Sequence, residues 1–273
     1  MTHDAFVTAV NGPAGVVDAH PRRWLILAVL VLGLLLIAID ATVLNLALPA
    51  VAADLQPSAT QLLWIVDVYS LVLAGLLVTA GTLGDRLGRK RLLLAGVTVF
   101  GVASIVAAFS PNVETLIGAR VLLGIGGALM MPSTLSIIRN VFIDPRERTL
   151  AIGIWSAVAG AGAAVGPIAG GILLEYFQWG TVFLINVPVM LLLLVFGARL
   201  VPESRDPRPG RWDAPSALLS IAGMVAVVYG VKELGTDGFG DVRGLIAGGF
   251  GLVLLFVFVR RQLRLDEPLL DVR

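Results

Sequence analysis

Eight long apolar runs, separated by short polar segments, organise the sequence: Leu25–Pro49, Leu62–Leu83, Leu92–Phe109, Thr115–Ile138, Thr149–Leu173, Gly180–Ala198, Ala214–Val231 and Gly244–Val259. A helix that crosses roughly 30 Å of hydrocarbon needs about 20 mostly apolar residues, and each run approaches or exceeds that length. None alternates apolar with polar residues as a barrel strand must. The pattern therefore predicts an all-α polytopic membrane protein with eight spans. The seventh and eighth runs are shorter and richer in glycine than the rest. The connections Ala53-Asp-Leu-Gln-Pro-Ser58, Ser110-Pro-Asn112 and Asp144-Pro-Arg-Glu-Arg148 are short and polar.

Composition narrows the function classes. Of 273 residues 57% are hydrophobic and 14% charged, where soluble domains carry about 25% charged residues. A net charge of +1 gives no reason to expect nucleic acid as a partner. There is no cysteine, and the two histidines, His3 and His20, sit in a polar leader, so neither a thiolate site nor an H-E-x-x-H zinc helix is available. No Gly-x-Ser-x-Gly elbow and no Gly-x-x-x-x-Gly-Lys-[Ser/Thr] loop occurs. The expectation is a protein that is not an enzyme, holds no metal or cofactor, and draws on an ion gradient rather than ATP.

Orientation follows from the basic residues. With a cytoplasmic N-terminus, all 20 Lys and Arg except Lys232, Arg243 and the intramembrane Arg120 fall on the inner side, as the positive-inside rule requires. Met1 to Arg23 lacks the basic start and short apolar core of a secretory signal and reads as a disordered cytoplasmic tail. Both ends are expected in the cytoplasm, with the protein in the cell membrane.

Ionisable residues inside a membrane are costly and usually face a polar cavity or a partner. Three stand out: Asp40 in the first span, Asp67 in the second and Arg120 in the fourth. Asp40 precedes Ala50 by ten residues, about 15 Å along a helix, and the other two lie about 7–8 Å into their spans. All three are thus expected in the outer half, lining one chamber. Two acids and one base leave a residual −1, which a proton or an organic cation would neutralise. The alternative is that the acids only tie helices together through polar contacts. Trp64, three residues before Asp67, reads first as an interfacial anchor and otherwise as an aromatic wall for a lipophilic cation.

Two further motifs lie at span ends and within the fifth span. Gly81-Thr-Leu-Gly-Asp85-Arg86-Leu-Gly88-Arg89-Lys90-Arg91 joins the second and third spans. Its glycines allow a tight turn, and Asp85 is placed to face a helix N-terminus or pair with a neighbour such as Arg139, as a gate latch. In the fifth span Gly162, Gly166 and Gly170, four apart, form one smooth face for close helix packing. Gly153 precedes them, and Pro167 tends to kink the helix.

Together these segments resemble the major facilitator superfamily. Gly81 to Arg91 is similar to its G-x-L-x-D-R-x-G-R-[KR] signature. Leu116-Ile-Gly-Ala-Arg120-Val-Leu-Leu-Gly124 resembles its fourth-helix motif, with Leu123 where glutamine is usual, and Gly162 to Gly170 its antiporter motif. Ile39-Asp40-Ala-Thr42-Val-Leu-Asn45-Leu-Ala-Leu-Pro49, Trp64-Ile-Val-Asp67-Val-Tyr69 and Phe183-Leu-Ile-Asn186-Val-Pro188 are similar to the fourteen-helix drug:proton antiporters that export quaternary ammonium compounds and dyes.

The resemblance implies a six-helix N-terminal transport bundle over 24–200 with a 3+3 helix repeat, and a cytoplasmic loop over 201–213. It also implies two additional helices over 214–259 and a tail over 260–273 that begins a missing C-terminal half. Asp40, Asp67 and Arg120 are the implied proton-coupling and cation-binding residues, and Trp64, Asn45 and Trp155 candidate lining of the substrate cavity. Gly81, Asp85, Arg86, Gly88 and Arg89 would form the conformational gate loop, and Gly153, Gly162, Gly166, Pro167 and Gly170 the antiporter motif. Expected partners are small lipophilic cations, protons, the lipid bilayer, and a C-terminal half or homodimer partner. The implied function is proton-driven export of cationic drugs by alternating access. The alternative is a half-transporter that is inactive alone or needs a second polypeptide.

Overall fold

A computed structural model of the protein describes residues 20–206, 213–237 and 242–265. Most of the tail expected over 1–23, residues 207–212 of the expected loop with Arg208 and Arg211, and 266–273 of the expected C-terminal tail lie outside the described residues. Among the described residues the regular structure is helical, with no strand. The helices are α1 (Arg23–Leu55), α2 (Ala59–Leu87), α3 (Arg89–Ala108), α4 (Val113–Val141), α5 (Pro145–Tyr176), α6 (Thr181–Leu184), α7 (Asn186–Leu200), α8 (Ala214–Asp237) and α9 (Val242–Gln262). Each predicted run maps onto one of them, the sixth onto α6 and α7 together, giving eight spans long and apolar enough to cross a membrane. The protein is a multi-pass α-helical membrane protein.

The helices run past the apolar segments, so several expected loops are helix ends. Gly81, Asp85 and Arg86 belong to the last turns of α2, and Gly88 is the only residue between α2 and α3. Residues 53–55 finish α1, and Pro145 opens α5. A helix satisfies its own backbone groups and persists wherever a start or stop signal does not intervene. The starts here are capped. Ser58 and Gln61 form a reciprocal capping box on α2, the Asn112 side chain accepts from the Thr115 N–H at 2.8 Å, and Asp144 accepts from Arg146 N–H at 2.7 Å. The sixth span is interrupted after Leu184. Pro188 lacks a donor and its ring opposes the carbonyl four residues back, which belongs to Leu184, so the helix restarts at Asn186.

In packing, α1 lies on α5 and α2 on α4, while α3 packs on α4 and α7 on α1. Each partner pair thus recurs with the roles of α1 and α4 exchanged, as a three-helix repeat produces. The pair α8 and α9 packs tightly together and leans on α2. Outward faces are apolar, with Val102, Ile105, Leu191, Leu192, Phe250 and Val253 exposed, as suits a surface bathed in lipid. Opposite them, α1, α2, α4 and α5 leave a concave face lined by Ile37, Ala41, Ser70, Leu73, Met131 and Ala159.

Polar ties fix the helix ends. At the end marked by Pro57, Trp179 Nε1 donates to Asp54 of α1 at 2.7 Å. At the opposite end, marked by Gly88, Arg23 of α1 grips Glu147 of α5 through two bonds of 2.7 and 2.9 Å. Segment 201–206 also docks at that end: Arg89 N–H donates to Ser204 O, Asp206 N–H to Asp85 O, and Lys90 N–H to Glu203 Oε1. Glu203 therefore places its charge on the N-terminal turn of α3, where the helix dipole favours an anion.

Gly88 makes this corner possible. Its φ is +113°, and a Cβ there would stand 2.6 Å from Glu203 Oε1. Gly88→Ala is expected to lower stability by about 1–3 kcal/mol, read as a lower thermal midpoint in detergent. Gly118→Ala, where a Cβ meets nothing within 4 Å, serves as the neutral comparison. Equal midpoints for the two variants would refute the strain argument.

Candidate functional site

The centre of the bundle holds a buried ion pair. Arg120 Nη1 of α4 donates to Asp40 Oδ2 of α1 at 2.6 Å, and the two side chains are 1% and 0% exposed. Arg120 Nε also donates to the Ile65 carbonyl of α2 at 3.1 Å. The guanidinium lies 4.4 Å from the centre of the Tyr69 ring, a cation–π contact, and Tyr69 Oη donates to the Ile37 carbonyl of α1. From the other side, Asn186 Nδ2 of α7 reaches Asp40 Oδ1 at 3.3 Å and Ser104 Oγ of α3 at 3.2 Å. Four helices therefore meet on one carboxylate–guanidinium pair, and α3 joins them through Asn186. Charges this deep persist only when paired and hydrogen-bonded, and both conditions are met.

Asp67 does not join them. The expectation of one chamber for Asp40, Asp67 and Arg120 is corrected: Asp67 lines a separate cleft between α2 and α8, with Thr60, Trp64, Leu71, Tyr229 and Glu233. The reason is angular. Tyr69 faces α1 and α4, and Asp67, two residues earlier, points about 200° away at 100° per residue. The residual −1 charge of the three-residue set is thus divided between a neutral central pair and a peripheral acid. In the cleft the Trp64 and Tyr229 rings stack with centroids 6.2 Å apart and 20° between planes, and Tyr229 Oη donates to Glu233 Oε1 at 3.1 Å. Two acids beside two aromatic faces suit a lipophilic cation chemically.

Asn45 and Trp155 lie beside the concave face. Asn45 is exposed one turn after Ala41, and Trp155, one turn before Ala159, donates its Nε1 to Thr134 Oγ1 at 3.1 Å. Neither is among the residues that line the cavity of that face.

The Gly81–Arg89 segment forms a polar pocket at the Gly88 end with Ser133, Ser136 and Arg139 of α4. Asp85 does not pair with Arg139. It accepts two bonds from Arg89, the first residue of α3, at 2.8 and 3.0 Å, a contact made across the Gly88 corner between the two helices. Arg86 is exposed. In α5, Gly162, Gly166 and Gly170 are buried against Ala38, Thr42 and Val43 of α1. Gly153 and Pro167 stand off that face: a Cβ at Gly153 would meet nothing within 4 Å, and Pro167 is exposed.

Sequence reasoning missed Ser104, Tyr229, Glu233 and Glu203, and it assigned no role to Tyr69 or Asn186. Asn186 carried a signal, a lone amide within an apolar run. Ser104 carried none, because small hydroxyls are common in packed membrane helices.

A sequence profile described as the Major Facilitator Superfamily matches residues 16–266. The chain is 55% identical over 265 residues to the multidrug efflux pump LfrA of Mycolicibacterium smegmatis, which covers 97% of this chain and 52% of that protein. It is 44% identical over 259 residues to the methyl viologen resistance protein SmvA of Salmonella typhimurium, covering 92% and 51%. With the puromycin resistance protein pur8 of Streptomyces alboniger it shares 41% identity over 254 residues, 92% and 50%. Among solved structures it resembles a peptide transporter, POT, in complex with sulfate, at a TM-score of 0.60 and 18% identity over 88% of this chain and 52% of that one, a likeness of fold. The chain spans about half the length of the curated relatives it matches.

Proposed function

The chain belongs to the major facilitator superfamily, and on that premise we propose that it forms the N-terminal half of a proton-coupled exporter of lipophilic cations. Residues 24–200 are the transport bundle, 214–259 two additional helices, and 1–23, 201–213 and 260–273 cytoplasmic segments. The Gly88 end faces the cytoplasm of a cell whose plasma membrane holds the protein. The basic residues support this orientation. Relatives named for multidrug efflux and for methyl viologen resistance support the substrate class, methyl viologen being an organic dication.

The buried Asp40–Arg120 pair carries the reading. A proton arriving at Asp40 cancels its charge and leaves Arg120 without its counterion, so α1 and α4 lose their strongest mutual attachment. Asn186 and Tyr69, which hold the two partners from α7 and α2, pass the change on to the rest of the bundle. Major facilitator transporters are an instance of alternating access, in which one bundle rocks against another around a site at their interface. The concave face of α1, α2, α4 and α5 is the surface for that second bundle. The glycine face of α5 and the Asp85 corner serve as pivot and gate. Asp67, with Trp64, Tyr229 and Glu233, attracts the cation. A second reading, that this half needs another polypeptide to transport, is favoured by the half-length match to the relatives.

The test is efflux of a fluorescent organic cation from cells expressing the chain, alone and together with the C-terminal half of a relative. Asp40→Asn and an uncoupler are run beside each. Export abolished by both treatments is expected in at least one arrangement, and the arrangement distinguishes the two readings. Export that survives Asp40→Asn, or no export in either arrangement although the protein reaches the membrane, sinks the proposal.

A further inference from the structure

Val259-Arg260-Arg261-Gln262-Leu263-Arg264 spans the end of α9 and the turn that follows it, and the three arginines of this segment do different things. Arg261 turns back to Asp213, just before α8, and donates to both carboxylate oxygens at 2.8 and 3.0 Å. Those bonds hold the Asp213 carboxyl below the usual carboxylate range. Asp213 also accepts from Ser216, whose Oγ accepts from the buried Gln262 Nε2 at 2.7 Å. This network clamps the end of α9 to the start of α8, and it uses up the charge of Arg261.

Arg260 and Arg264 are left over. Arg260 lies in the last turn of α9 and Arg264 in the turn just past its end; both are exposed, and neither is ion-paired among the described residues. They rim a groove whose walls are Leu219 of α8 and Phe256 and Val257 of α9. The Arg260 guanidinium sits 5.7 Å from the Phe256 ring centre. Directly above, the α9 surface is a strip of exposed apolar side chains, with Leu252 61%, Val253 57% and Phe256 63% exposed.

We propose that this groove binds one anionic phospholipid, with its phosphate between Arg260 and Arg264 and its acyl chains along the strip over Phe256 and Val253. Charge complementarity selects the headgroup, because a basic pocket between membrane helices is built to take an anionic one. Guanidinium donors also match phosphate oxygens in geometry as well as in charge. The apolar strip selects the rest of the molecule: it continues the groove into the depth of the bilayer, where an acidic peptide or a free anion has nothing to offer it. The rigid Asp213–Arg261 clamp keeps the groove open in shape without competing for the phosphate. The inference is independent of the export reading and rests on membrane insertion alone.

Native mass spectrometry of the detergent-purified chain, titrated with phosphatidylglycerol and with phosphatidylcholine, tests it. One phosphatidylglycerol is expected to bind per chain, and more tightly than phosphatidylcholine. Arg260→Gln with Arg264→Gln should weaken phosphatidylglycerol roughly thirty-fold, about five-fold per arginine. Arg146→Gln, an exposed arginine at the same end of the molecule, should leave binding unchanged. On the unaltered chain, raised salt should weaken phosphatidylglycerol and spare phosphatidylcholine, a readout that needs no variant. The proposal is overturned if the two lipids bind alike, if the double variant keeps the preference, or if Arg146→Gln loses as much. Inorganic phosphate displacing the lipid at equal concentration would overturn the lipid as occupant.

Discussion

Asp40→Ala will destabilise the bundle by about 3–5 kcal/mol, because it leaves the Arg120 guanidinium charged and without a counterion in a site that water does not reach. Arg120 is 1% exposed, and its remaining contacts, the Ile65 carbonyl and the Tyr69 ring, cannot replace a carboxylate. Asn186 loses its Asp40 partner at the same time. The competing view treats the contact as one more interhelical hydrogen bond, and those average about 0.6 kcal/mol in membrane proteins. The two views differ several-fold, so a double-mutant cycle decides between them. With Asp40→Asn and Arg120→Gln, each single variant should lower the thermal midpoint in detergent sharply. The double variant should recover more than half of the summed loss, since the two amides leave no buried charge without a counterion. Additive losses, with a coupling below about 0.5 kcal/mol, would show that the pair is not the tie between α1 and α4. Recovery of stability without recovery of transport would separate the structural role of the pair from the proton-coupling role proposed for it.

That pair was readable in the sequence because both members are ionisable residues inside apolar runs, a signal that needs no knowledge of neighbours. The fate of Asp67 was not. Depth along a span follows from residue count, but azimuth follows from which side of α2 meets α4, and only packing sets that. For the same reason Asn186 and Ser104 stayed hidden: their partners lie 146 and 82 residues away in sequence, and the link exists only once α1, α3 and α7 are adjacent. The Asp85 corner failed differently. Glycines and charges in Gly81–Arg91 read as a loop, yet only Gly88 adopts a dihedral that ends a helix. Helical α2 therefore carries Asp85 up to that corner, where the turn at Gly88 sets it against Arg89, the first residue of α3, rather than against Arg139. The glycine spacing of α5, by contrast, was fully legible, because residues four apart share a face whatever they pack against.

Gly166→Leu will force α5 off α1, and even Gly166→Ala will be felt. The smallest side chain added there runs into Thr42 Oγ1 and comes within 3.2 Å of the Ile39 carbonyl. Thr42 cannot simply rotate away, because its hydroxyl is bonded back to the Ala38 and Ile39 carbonyls at 3.2 and 3.1 Å. Overpacking of a fixed interface costs about 1–3 kcal/mol, so the alanine variant should fall in that range and the leucine variant beyond it. Gly153 and Gly160 lie on the same helix with nothing within 4 Å. There alanine should be neutral or mildly stabilising, by up to about 1 kcal/mol from helix propensity alone. The cause is checked by a partner change: Thr42→Gly added to Gly166→Ala should restore the thermal midpoint by making room on α1. If Gly160→Ala proves as damaging as Gly166→Ala, or if Thr42→Gly rescues nothing, close contact at this face is not what the glycines provide. If the rescue holds, α1 and α5 are joined at the middle by this face and at the Gly88 end by Arg23 and Glu147. Two helices joined at two levels move as one body, so any rearrangement set off at Asp40 must carry α5 with α1.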